Sequence, residues 1–145
     1  MKNPFLEDFK NQLKNYKNIE NSIIKIQDEI EFLKTILDPK GFSSESFNSG
    51  GSDYNTTEDK MFNYLAKSVA LEKQLKINKF TYSTITKAFE ILEKNEKIAI
   101  EEFYFKNTNI VKLSDILHYE ERQVYRIINT AIYKMLCFQY GKIDC

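Results

Sequence analysis

Arginine is nearly missing from these 145 residues: Arg122 and Arg126 stand against 19 lysines, and the 21 basic residues are cancelled by 21 acids to a formal net charge of zero. A neutral chain has no general pull toward polyanions, so any nucleic-acid contact must be local. Glycine (4) and proline (2) are too scarce for a fold of many tight turns, while Leu, Ile, Lys, Glu and Asn dominate, which predicts an all-α protein. The two cysteines, Cys137 and Cys145, lack CxxC spacing, and the one histidine is His118, so a structural zinc is not expected. Cys137 reads instead as a small apolar residue of a helix in a reducing cytoplasm. No run of about 18 apolar residues occurs and "MKNPFLEDFK" has no signal-peptide pattern, so neither a membrane span nor export is expected.

What is present is heptad spacing. Ile19, Ile23, Ile26, Ile30, Leu33 and Leu37 step by four and three, the seam of a helix that wants a helical partner. Leu6, Phe9, Leu13 and Tyr16 step likewise, one stammer out of phase. The pattern predicts one helix from about Pro4 to Leu37, roughly 50 Å long at 1.5 Å per residue. Asp38-Pro39 and Gly41 stop it, and residues 1–38 form the first segment. The polar "GFSSESFNSGGSDYNTTE" reads as a flexible linker over 39–57. A second seam follows through Met61, Tyr64, Ser68, Leu71, Leu75, Asn78, Tyr82, Ile85, Phe89 and Leu92, giving a second long helix over 58–93 that starts near Thr57-Glu58. Its Thr-rich "FTYSTIT" is a poorer helix former and a candidate break. The seams suit an antiparallel hairpin within one chain or a coiled coil between two, and spacing alone does not separate these.

After Lys94 the pattern shortens. "NEKIAIEEFYFK" reads as a short helix, Asn107 to Asn109 as a turn, "IVKLSDIL" as a second helix, "HYE" as a three-residue turn, and "ERQVYRIINTAIYKMLCFQ" as a longer third helix. Three helices in residues 94–145 with a tight turn before the last describe a helix-turn-helix. Leu113, Leu117, Val124, Ile128, Ala131 and Met135 fall at its core positions, with Ser114 as the small residue where the two helices cross. The opposite face of the last helix carries Glu121, Arg122, Tyr125, Arg126 and Asn129, with Gln123 beside them and Lys112 on the preceding helix. These seven are the candidate DNA-binding residues. Arg122 and Arg126, at i and i+4, would project from the first turns of a helix entering a major groove, where a guanidinium bonds two acceptors of guanine and lysine offers only a point charge. The bland reading makes them solvated charges paired with Glu120 or Glu121. Residues 93–145 hold eight basic and eight acidic side chains, a weak electrostatic footprint, whereas 67–87 holds five lysines against Glu72 and could touch phosphates.

"KLSDILHYEERQVYRIINTAIYKML" resembles the helix-turn-helix of sigma-factor region 4, and more closely that of the RinA/ArpU-type phage transcriptional regulators. The similarity rests on Leu113, Leu117, His118, Tyr119, Arg122, Val124, Tyr125, Arg126, Ala131, Lys134 and Leu136. It covers the last 50 residues better than the rest. The resemblance implies binding of phage promoter DNA to activate late genes, with host RNA polymerase as a further partner, in the cytoplasm near the nucleoid. The chain departs from the pattern at Glu120, where a helix-capping serine is usual; glutamate suits a helix N-terminus electrostatically but caps less well.

Enzymatic function is not expected, since there is no Gly-rich phosphate loop, no Cys/His pairing and no HExxH, and no cofactor is implied. The first reading is a sequence-specific regulator bound to double-stranded DNA, with a homodimer through the long helices as one arrangement. Two alternatives are a phage small terminase subunit and a helical protein-binding adaptor. Oligomeric mass discriminates, because a regulator would be a monomer or dimer and a terminase subunit a ring of about eight or more.

Overall fold

The computed structural model describes residues 3–37 and 54–141, with side chains described from residue 58 in the second stretch. Those residues are all-α, without a strand: six α-helices and one π-helical segment. They are α1 (Pro4–Lys14), α2 (Tyr16–Leu37), α3 (Tyr54–Glu90), α4 (Lys94–Ile100), the π-helical Glu101–Phe105, α5 (Ile110–Leu117) and α6 (Glu121–Tyr140). The linker predicted over 39–57 lies mostly outside the described residues, and its last four positions belong to α3.

The single first helix predicted from the seam is in fact two. Asn3 accepts the Phe5 amide at 2.9 Å and Pro4 occupies the first turn, so α1 begins with its end groups satisfied. It ends at Asn15, whose ψ of 4° leaves the helical region. That residue sits where the heptad phase slips, so one helix could not keep both seams buried. The Thr-rich stretch of α3, by contrast, is unbroken. Thr84 and Thr86 donate to the Phe80 and Tyr82 carbonyls at 2.8 Å, taking their hydroxyls out of competition with the helix.

By contact the chain divides into two compact units, Asn21–Lys79 and the combination of Met1–Glu20 with Phe80–Cys145. This division differs from the segments read at 1–38, 58–93 and 94–145. In the first unit the α2 and α3 portions lie against each other within one chain. Asn78 donates to Ser22 Oγ at 3.0 Å, joining the end of one portion to the start of the other, so they run antiparallel. Ile30 and Leu33 are buried on this seam, while Met61, Tyr64, Ser68, Leu71 and Leu75 are only half-buried.

The second unit has the larger core. Phe9, Leu13 and Tyr16 from the N-terminus join Ile85, Ala88 and Leu92 of the α3 end and the buried residues of α4 to α6 in one cluster. Tyr16 is stacked between Tyr82 (4.9 Å) and Phe105 (4.4 Å), with its hydroxyl 2.7 Å from Thr86 Oγ1. Burial pushes that phenol up to about 12. The π-helical segment, marked by the Lys106 amide donating to the Glu101 carbonyl at 3.0 Å, directs Tyr104 into the core.

α6 buries more than one face. Leu113, Leu117, Val124, Ile128, Ala131 and Met135 are buried as their spacing predicts, but so are Ile132 and Leu136, on the side where α1 packs. Among the described residues, no helix is long and apolar enough to cross a membrane.

Candidate nucleic-acid interface

Two short-range devices position the start of α6. Asn109 caps α5, accepting the Val111 amide at 2.8 Å. At the other end His118 adopts the left-handed conformation (φ 60°, ψ 37°) that lets a helix end in one residue, and its amide returns to the Ser114 carbonyl. Ser114 also donates its hydroxyl to the Tyr119 carbonyl across the turn. The serine predicted as a crossing point is therefore half-buried and acts as a clasp that closes the turn. From Glu120 the chain is helical again, with the Val124 amide on the Glu120 carbonyl at 3.0 Å. The Glu120 side chain makes no capping bond.

The candidate residues Lys112, Glu121, Arg122, Gln123, Tyr125, Arg126 and Asn129 are all exposed. Arg122, Tyr125, Arg126 and Asn129 share one side of α6, with Tyr125 and Arg126 each about one turn from both Arg122 and Asn129. Among the described residues neither arginine has an ion-pair partner, so pairing with Glu120 or Glu121 is not realised. Tyr125 is steadied from behind by Phe103, edge to face at 6.4 Å.

Arg126 also borders a shallow depression of about 300 Å³ shared with Gln123, Tyr119, Glu93, Glu96 and Lys134. Its floor is an ion pair. Glu96 is buried, accepts the Glu93 amide at 3.0 Å and meets Lys134 Nζ at 3.0 Å, tying α4 to α6. The bond to Glu96 raises the Lys134 ammonium above the ordinary lysine value.

Lys112 stands apart from the other six. It lies in the first turn of α5, and its charge is one of those acting on Glu102. The Thr108 hydroxyl, bonded to Glu102 Oε2 at 2.7 Å, does most to hold that carboxyl below its ordinary value, with Lys106 and Lys112 adding to it.

The open stretch of α6 has a limit that sequence reasoning missed. Two turns along the same side, α1 covers the helix, and Leu6 and Lys10 border a small hollow of about 150 Å³ with Asn129, Ile132, Tyr133 and Leu136. Lys10 thus adds a positive charge beside Asn129, from a helix more than 100 residues away in the chain. No local pattern marks it, because its place depends on tertiary packing alone.

No family model, no curated protein and no solved structure matches this chain.

Proposed function

We propose that this protein is a sequence-specific DNA-binding transcriptional regulator of the phage or prophage late-gene activator type, with α5 and α6 as a helix-turn-helix and α6 as the helix that enters the major groove. The observation that carries this reading is the pair Arg122 and Arg126, exposed and without an ion-pair partner among the described residues, on the first two turns of a helix set by a clasped turn. Two guanidinium groups one turn apart can reach the edges of neighbouring bases, with Gln123 and Asn129 as amide partners for adenine. Lys10 and Lys112 would then meet phosphates on either side, fixing position and carrying no sequence information. Host polymerase would be met by surfaces outside this face.

Binding should obey two separable rules. Arg126→Ala should cost about 1–3 kcal/mol of specific affinity and relax preference at one base pair. Replacing Lys10 should weaken all sequences alike and lower the salt slope. Fluorescence anisotropy on a panel of single-base operator variants separates the two, and an unchanged preference profile for Arg126→Ala would remove that residue from base reading.

A further inference from the structure

Three consecutive rings of the π-helical segment each meet a different part of the fold. Phe105 stacks on Tyr16 at 4.4 Å and lies 5.7 Å from Phe89, while Tyr104 is buried in the core. Phe103 reaches α6 instead, meeting Tyr125 edge to face at 6.4 Å with the two planes 80° apart. Tyr104 in turn meets Phe103 edge on at 5.0 Å, so Phe103 is held between a core ring and a surface ring. Wide π turns recur where a fold positions a functional side chain.

Tyr125 is 45% exposed, and among the described residues its hydroxyl has no hydrogen-bond partner. Packing therefore fixes the ring and leaves the phenol to bond a group outside the chain. At about 100° per residue, Tyr125 is turned roughly 60° from Arg122 to one side and Arg126 roughly 40° to the other. Ile132, two turns further on, shares the side of Tyr125 and is buried where α1 packs. The flank of α6 that carries Tyr125 is thus the flank beside which Lys10 stands. Glu121, one turn earlier on this flank, repels phosphate and confines any backbone contact to the Tyr125 and Lys10 end. A helix in the major groove turns its middle to the base edges and its flanks to the sugar-phosphate walls, where tyrosine hydroxyls bond phosphate oxygens.

We propose that Phe103 is a positioning residue for DNA binding: it holds the Tyr125 ring so that the phenol donates to a backbone phosphate on the flank where Lys10 meets another. This rests on α6 as the DNA-entering helix and extends that reading to a residue that touches no DNA itself. A neutral phenol releases no condensed counterion, so Tyr125 adds affinity without adding to the salt slope, unlike Lys10.

The test is fluorescence anisotropy of the full chain across a salt series, on a labelled duplex carrying the motif recovered by affinity selection, with Tyr125→Phe, Phe103→Leu and the double variant. Tyr125→Phe should weaken binding about tenfold, on the motif and on its single-base variants alike, with the salt slope unchanged. Phe103→Leu should weaken it about two- to tenfold in the wild-type background and no further in Tyr125→Phe, because no hydroxyl is left to place. A merely structural Phe103 would weaken both backgrounds by the same factor. Phe103→Met is measured beside Phe103→Leu, with circular dichroism of each, so that one misfolded variant does not decide the result. Losses that multiply in the double variant, a lowered salt slope in Tyr125→Phe, or no loss in either single variant overturn the proposal and leave the arginine reading in place. A wild type that enriches no motif overturns both.

Discussion

Phe9 lies in α1, more than 80 residues before the segment it helps to hold together, and it is 1% exposed. It belongs to one buried cluster with Leu13, Tyr16 and the core of α4 to α6. Phe9→Ala deletes a ring from a closed site, for which the lost transfer free energy plus the residual cavity cost about 3–5 kcal/mol. Total stabilities of about 5–15 kcal/mol make this a large share. For a unit of this size each kcal/mol moves Tm by roughly 4–8 °C, so the midpoint should fall by at least about 12 °C. A fragment of residues 94–145 should fare worse still, because it lacks Phe9, Leu13, Tyr16, Ile85, Ala88 and Leu92 from that cluster. Differential scanning calorimetry of the full chain and of Phe9→Ala, with circular dichroism melts of the fragment, gives the answer. A cooperative transition in the fragment, together with an unchanged Tm in Phe9→Ala, would refute the claim that α1 is part of the core behind α6.

Three further outcomes follow from the same geometry. Lys134→Met leaves the buried Glu96 carboxylate without its cation and should lower Tm at neutral pH; Lys134 has a raised pKa, so the wild-type advantage is complete below the ordinary lysine value and disappears as pH rises through the raised one, which a Tm series across the alkaline range should show. Glu102 has a lowered pKa, so its contribution is complete above the ordinary carboxylate value and lost as pH falls through the lowered one, and Glu102→Gln should flatten that part of the acid limb in urea titrations. His118→Gly should be neutral or stabilising by up to about 1 kcal/mol, since glycine adopts the left-handed conformation freely, whereas His118→Val should destabilise and loosen the start of α6, as read by thermal melts.

How much of this was legible depends on how local each signal is. The buried set Leu113, Leu117, Val124, Ile128, Ala131 and Met135 could be read from spacing, because helical period alone decides which side faces in. Ile132 and Leu136 could not, because α1 buries them from a distant part of the chain. The slip in heptad phase before Ile19 was visible and marks the break at Asn15, yet periodicity alone did not say whether the helix would bend or end there. "FTYSTIT" misled because low propensity was weighed without the burial of Ile85 and Ala88 in the core, which overrides it. Exposure of Arg122 and Arg126 followed from helical counting, but the clasp role of Ser114, the π-helical segment and the charge lent by Lys10 are products of folded geometry with no sequence pattern of their own.

The central claim, that the Arg122 and Arg126 face reads DNA sequence, is tested most directly by affinity selection of sheared bacterial and prophage DNA at about 0.1 M salt, low enough to keep phosphate contacts. The Arg122→Ala/Arg126→Ala double variant is run alongside. The account predicts an enriched motif with the wild type that the double variant loses while its melting transition is retained. Recovery of nothing above background by the wild type, or of the same motif by both proteins, would contradict it.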